Sequence, residues 1–265
     1  MRVVITGAAG TIGSELVEEF HASHELRLLD RHTTMKGPSE VTNLDQNRLT
    51  SYWKPWSRSR KPSWMTMFKG ADVVVHLAAY LHQDLNWPHV LQDNIQVTWN
   101  VLEAAVEHRV PRVVFASSNW VVKGTELALA PACYEPQGPK IGSDAAPCPK
   151  TLYGISKAFG ETTGRTLVEE GHIRSFVAVR IGSYHPIAPK KEETRRRWIG
   201  SKDIRSLFRR CVEEEFSGFH VVYGVSAQRT APYDLSYTSH LLSWKPEQLA
   251  EDPSLGLTNL QCQKC

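Results

Sequence analysis

Tyr153 and Lys157 stand four positions apart in the stretch Y-G-I-S-K, and the apolar run R-V-V-F-A-S-S upstream ends in Ser117 and Ser118, followed by Asn119. On a helix that spacing puts a phenol and an ammonium on one face. The set suits removal of a proton from an alcohol. A tyrosine with a pKa near 10 is a poor base at pH 7, and moving it towards 7 takes ~4 kcal/mol of preferential stabilisation of the phenolate. A lysine ammonium one turn away supplies part of that, and a serine hydroxyl at a strand end can hold the reacting oxygen. Many helices contain this pair of residues by chance, so its meaning rests on the elements around it.

The N-terminal stretch R-V-V-I-T-G-A-A-G-T-I-G sets three glycines between a predicted strand, Arg2–Thr6, and a predicted helix in which Ile12, Leu16, Val17 and Phe20 recur at helical spacing. Gly7 permits a tight turn, Gly10 lets the backbone approach a pyrophosphate, and Gly13 lets helix and strand pack closely. The helix opens at Thr11 and Ile12, where free N–H groups and the positive end of the dipole favour phosphate. Asp30 ends the next predicted strand, Glu25–Asp30. Its carboxylate can accept from ribose hydroxyls and repels a 2′-phosphate, so NAD is expected rather than NADP. Arg31 beside it is a group able to receive that phosphate. No metal site is expected.

Strands predicted at Asp72–Ala79, Arg112–Ser118 and Arg174–Arg180 alternate with helices at Asn94–His108 and Tyr153–Glu170. That alternation predicts an α/β chain built on a doubly wound parallel sheet, a Rossmann arrangement with a small C-terminal lobe. We expect residues 1–182 to form the dinucleotide-binding domain and 183–265 a substrate lobe interleaved with it. A further helix is expected at Asp203–Phe216. The run A-D-V-V-V-H-L-A-A-Y is too short for a bilayer span, and no leader-like segment precedes the first strand. A net charge of +3 over 265 residues is too small to argue for nucleic acid. We expect a cytoplasmic homo-oligomer, dimer or higher, without membrane or nucleic-acid partners. Five cysteines do not make a disulfide framework, and the terminal C-Q-K-C reads as a frayed tail. Two segments interrupt the rhythm. Ser51–Trp64 reads as an exposed insertion, and the proline-rich Gly124–Lys150 as a long connection suited to a lid.

The ordered set T-G-x-x-G-x-x-G, H-L-A-A (His76–Ala79), Asn94, Ser118 and Tyr153/Lys157 resembles the extended short-chain dehydrogenases/reductases, the NAD-dependent epimerase/dehydratase family, over nearly the whole chain. Within it, F-A-S-S-N (Phe115–Asn119), L-Y-G-I-S-K-A-F-G-E (Leu152–Glu161), R-I-G-S (Arg180–Ser183), V-V-Y-G-V-S (Val221–Ser226) and L-S-W-K-P (Leu242–Pro246) look most like uronate dehydrogenases and archaeal NAD-dependent glucose-6-phosphate dehydrogenases. The resemblance implies oxidation of a free cyclic sugar derivative at C1 to a lactone, with hydride passed to NAD+. It implies Ser118, Tyr153 and Lys157 as catalytic residues. To the cofactor it assigns Gly7, Gly10, Thr11, Ile12, Gly13, Asp30, Asn43, Leu44, Leu77, Ala78, Ala79, Asn94, Tyr153, Lys157 and Ile181. To the substrate it assigns Ser118, Asn119 and Ser183, with Trp120 standing where the family typically has histidine. Asn43 likewise stands where the family often has aspartate. A nucleotide-sugar epimerase or dehydratase, which usually carries a larger C-terminal lobe, and a non-catalytic dinucleotide-binding regulator are the alternatives.

The stretch Lys190–Arg197 carries five basic residues against Glu192 and Glu193. Arginine pairs with carboxylate or phosphate through its fork of donors. An anionic sugar is therefore expected, a hexuronate first and a hexose phosphate second, with Arg195 as the leading anchor and Lys190, Lys191, Arg196 and Arg197 as the alternatives.

Overall fold

A computed structural model describes residues 1–31, 44–45, 63–81 and 86–250. The expectations for Asn43, for residues 51–62 of the basic, tryptophan-rich insertion and for the terminal Cys262/Cys265 pair lie outside the described residues.

The chain forms β1 (Arg2–Thr6), β2 (Glu25–Leu29), β3 (Leu44–Asp45), β4 (Val73–His76), β5 (Arg112–Ser118), β6 (Ser175–Ile181), the short β7 (Ser183–Tyr184) and β8 (Trp198–Ile199), and β9 (Gly218–Gly224). Seven of these make one sheet in the order β3-β2-β1-β4-β5-β6-β9, and its pairings are all parallel. β4, β5 and β6 are buried at every residue. Such runs need cover on both faces, which explains their lack of polar alternation. β7 and β8 pair apart from the main sheet, and β9 then returns the chain to it as an edge strand.

Helices supply that cover. They are α1 (Thr11–Phe20), α2 (Trp87–His89), α3 (Val97–Glu107), α4 (Lys123–Leu129), α5 (Leu152–Glu169), α6 (Glu192–Arg195), α7 (Ser201–Glu213) and α8 (Ser236–Leu242). One core layer packs Leu16, Val17 and Phe20 of α1 with Ile204, Leu207 and Phe208 of α7 against the sheet. The other packs Val101, Leu102 and Ala105 of α3 with Trp64 and Phe68. α5 lies close on this second face. A Cβ at Gly160 or at Gly164 would come within 2.3 Å of the Phe115 or the Phe176 ring, respectively.

The helix expected from Asn94 starts earlier. Asn86 caps α2 by accepting from the His89 N–H at 3.2 Å, and Pro88 sits in its first turn, where a missing N–H costs nothing. A π-helical turn, Val90–Gln96, then joins α2 to α3 and contains Asn94. The segment 124–150 also differs from expectation. Instead of a lid it is a packed wall: α4 starts it, Ile141 is buried against Tyr233 and Val121, and the Ile141 N–H donates to the Pro232 carbonyl at 2.8 Å.

β5, β6 and α5 are clamped by a buried ion pair. Arg180, 2% exposed, donates to Glu161 through Nε at 2.9 Å and Nη2 at 2.8 Å. Ser117 donates to the same carboxylate at 2.5 Å. Removing one member leaves the other charge buried without a partner, so Glu161→Ala should destabilise the fold by about 3–5 kcal/mol in denaturant unfolding. A loss below about 1 kcal/mol would show that Arg180 finds water instead.

Candidate active site

Because the strands run parallel, their C-terminal ends share one edge, and the sheet order reverses between β1 and β4 to open a crevice there. Gly7–Gly13 follows β1, Asp30 follows β2, Leu77–Ala79 follow β4, Ser118 ends β5 and Ile181 ends β6. Residues far apart in sequence become neighbours across the edge: Ser118 lies opposite Ile181 in register.

The glycine turn fits a dinucleotide. Gly7 has φ +72°, in the left-handed region, and a Cβ there would meet the Ala78 N at 2.7 Å. At Gly13 a Cβ would stand 2.2 Å from the Gly7 carbonyl oxygen, so helix and turn meet only without a side chain. At Gly10 a Cβ would approach, among the described residues, only the Gly7 oxygen, at 3.1 Å, so these residues leave the N-terminus of α1 open. No side chain caps that terminus, so its N–H groups and dipole face outward for an anion. Asp30 is buried beside the turn and accepts from the Ala9 N–H at 2.9 Å. Arg31 turns to Asp93, 3.8 Å away, and lies over the Tyr80 ring.

Tyr153 and Lys157 fall in the first turns of α5, which starts where Thr151 accepts from the Gly154 N–H at 3.1 Å. Tyr153 keeps part of its surface open, and its phenol lies near enough to the Ser118 hydroxyl for that group to act on its pKa. Burial pushes the phenol up to about 12, against a small lowering from Ser118. Lys157 is 3% exposed, and burial pushes its ammonium down to about 7. Its Nζ lies 5.6 Å from the Tyr153 ring centroid and 4.9 Å from that of Phe115. In the protein alone, then, burial is the largest influence on both groups.

Strand alternation separates the two serines of β5. Ser117 turns to Glu161, whereas Ser118 faces Tyr153. Ser118 also accepts from the Trp120 N–H at 3.2 Å and lies 3.3 Å from the Asn119 Oδ1. Trp120 is partly exposed, with Lys123 Nζ 5.8 Å from its ring. Asn94, assigned to the cofactor from the sequence, is buried and bonded within the protein. Its Nδ2 donates to the Tyr80 carbonyl and the Ser156 hydroxyl, both at 3.1 Å, and its Oδ1 accepts from the Tyr80 N–H at 2.6 Å. The side chain ties the loop after β4 to α5. Ser183 sits in β7, its N–H on the Arg197 carbonyl at 2.6 Å and its hydroxyl 3.1 Å from His185 Nε2.

The basic run resolves into distinct roles. Arg196 pairs with Glu192 at 2.5 Å and stacks on Tyr134. Arg197 pairs with Glu193 at 3.2 Å and lies 3.6 Å from Glu126, and Lys191 pairs with Glu193 at 3.3 Å. Arg195 is partly buried on α6 and makes no ion pair with the described residues.

Sequence reasoning missed Glu161 and Glu126. Glu161 was within reach, since 153, 157 and 161 form one i, i+4, i+8 stripe on α5. Glu126 had no signal, because its partners come from distant segments. Among the described residues, no three His, Cys, Asp or Glu side chains group to hold a metal, and no helix is long and apolar enough to cross a membrane.

The chain is 31% identical to the NAD-dependent glucose-6-phosphate dehydrogenase of Haloferax volcanii, over 92% of each protein. It is 32% identical to the uronate dehydrogenase of Agrobacterium fabrum, over 94% of this chain and 86% of that one. A crystal structure of a mutant uronate dehydrogenase from Agrobacterium tumefaciens complexed with NAD superposes with a TM-score of 0.74 at 30% identity, covering 94% of this chain and 86% of that one. The model of the NAD dependent epimerase/dehydratase family matches residues 3–220, and with the glycine cradle and the parallel strand ends in place, the chain belongs to that family.

Proposed function

We propose that this protein is an NAD-dependent dehydrogenase that oxidises the C1 hydroxyl of a free, anionic cyclic sugar to the lactone, a hexuronate first and a hexose phosphate second. The observation that carries the reading is the placement of Ser118 at the end of β5 and of Tyr153, with Lys157 Nζ 5.6 Å from its ring centroid, at the start of α5, at the strand edge beside the glycine cradle. The named activities of the two sugar-oxidising relatives support the same class. In this reading the turn Gly7–Gly13 and Asp30 hold the diphosphate and the adenosine ribose, lined by Leu77–Ala79 and Ile181. When bound, NAD+ supplies the hydride acceptor and a positive charge beside the phenol. Ser118 hydrogen-bonds the C1 oxygen, and Tyr153 takes the hydroxyl proton as the C1–H electrons leave. Lys157 holds positive charge next to the developing phenolate, which offsets the burial that keeps the phenol protonated in the protein alone. Asn119, Trp120 and Ser183 form the sugar side, and Arg195 meets the anion. The engagement of Arg31 by Asp93 supports NAD over NADP.

A screen of NAD+ reduction across hexuronates, hexose phosphates and neutral aldoses tests the substrate class directly. Arg195→Ala should cost the anionic sugar ~1.5–3 kcal/mol in kcat/KM and leave neutral sugars nearly unchanged. Equal turnover of neutral aldoses and their acids by the wild type would remove the anion site. Tyr153→Phe should lower kcat by ~10²–10⁴ with NAD+ affinity retained. A variant keeping more than about a tenth of the activity, outside that range, would remove Tyr153 as the base. Since the base must be deprotonated, wild-type kcat/KM should rise with pH along a limb absent from Tyr153→Phe, at an apparent pKa below the value of about 12 that burial imposes on the protein alone. NADP+ should be the poorer acceptor, and equal efficiency with both would transfer the ribose site from Asp30 to Arg31.

A further inference from the structure

Glu126 lies on α4, in the segment expected to be a lid, and its side chain is wholly buried. Its Oε1 accepts from Lys123 Nζ and from the Tyr134 hydroxyl, both at 2.9 Å, with Arg197 Nη1 at 3.6 Å. Its Oε2 accepts from the Tyr233 hydroxyl at 2.9 Å. Burial alone would raise the Glu126 pKa, but the Lys123 hydrogen bond, the Arg197 charge and the Tyr233 hydroxyl outweigh it and hold the carboxyl below its ordinary value.

An ionised carboxylate only accepts hydrogen bonds, which gives this cluster a direction. The Tyr233 proton points at Glu126, so the Tyr233 oxygen is left to accept. The group that faces it is Asn119 Nδ2, at 3.0 Å. The amide is thereby turned with its NH2 towards Tyr233 and its Oδ1 towards Ser118, whose hydroxyl donates to it at 3.3 Å and leaves the second lone pair of Oδ1 to accept from another group. An asparagine amide is nearly symmetric in shape, and its direction is set by such partners alone. The cluster also reaches the second sugar-side segment, because the backbone carbonyl of the same Arg197 accepts from the Ser183 N–H at 2.6 Å.

We propose that Glu126 and Tyr233 are positioning residues. Their directed hydrogen bonds lock the Asn119 amide so that it presents an acceptor oxygen beside Ser118, which makes this part of the crevice specific for a hydroxyl donor of the sugar rather than for its anionic group. The inference deepens the proposed sugar-oxidising reading and rests on it for its kinetic consequence. It also divides the labour of recognition: Asn119 takes a hydroxyl, and the anion is left to Arg195.

Tyr233→Phe is the test. The variant keeps the ring stacked on Tyr223, with centroids 4.7 Å apart, and leaves Glu126 with Lys123, Tyr134 and Arg197, so thermal melting should be little altered. With the sugar that the wild type oxidises best, KM should rise about tenfold, as expected for one lost hydrogen bond, while kcat and NAD+ affinity stay within about twofold. Because Tyr233 acts through Asn119, the double variant Asn119→Ala/Tyr233→Phe should be no worse than Asn119→Ala alone. Multiplying losses, or a KM within about twofold of wild type for Tyr233→Phe, would overturn the proposal. A second arm needs no sugar. In amide hydrogen exchange followed by NMR, the Asn119 side-chain signals, assigned by their absence in Asn119→Ala, should exchange at least about tenfold faster in Tyr233→Phe than in wild type. Equal exchange would overturn the positioning role even with sugar oxidation intact. Failure of the wild type to oxidise any sugar in the screen would instead overturn the functional reading, and the exchange rates would still decide whether Asn119 is locked.

Discussion

Parallel alignment of the strands is the constraint on which the site depends. Seven strands run in one direction, so each ends at the same edge, and residues from far-apart stretches are delivered to one crevice without long loops. The glycine turn after β1, the Ala78 backbone after β4 and Ser118 at the end of β5 are adjacent because β1, β4 and β5 are adjacent. Contact between the first two is close enough to exclude a side chain at Gly7. The order reversal between β1 and β4 leaves the gap in which a dinucleotide can lie across the edge.

Burial then sets the chemistry of that edge. Burial of Lys157 and of most of Tyr153 disfavours the charged form of each, so each is pushed towards neutrality. Two other deep charge clusters are paired. Glu161 and Arg180 neutralise one another across β6 and α5, and Glu126 is surrounded by donors. These paired clusters can hold backbone and amide directions rigidly. Lys157, by contrast, makes no ion pair with the described residues. The local dielectric that suppresses ionisation there also magnifies each charge interaction.

Much of this was legible in the chain itself. The alternation of Val-rich runs with helical periodicity specified the parallel sheet, because strands buried on both faces must be apolar throughout. The three glycines specified the cradle, because a left-handed φ at Gly7 and the close approach at Gly13 exclude other residues. The i, i+4 spacing of Tyr153 and Lys157 put them on one turn of α5. All of these depend on local periodicity or on backbone geometry, which short stretches encode. Tertiary structure decided the rest. It assigned Ser117 to Glu161 and Ser118 to Tyr153, gave Asn94 to Tyr80 and Ser156, and packed residues 124–150 as a wall. It also engaged Arg196 and Arg197 with glutamates while leaving Arg195 unpaired among the described residues. The direction of the Asn119 amide comes from a carboxylate at position 126 and a phenol at 233, more than a hundred residues apart. Hydrogen-bond direction and charge pairing depend on which groups meet in space, and no periodicity along the chain encodes that.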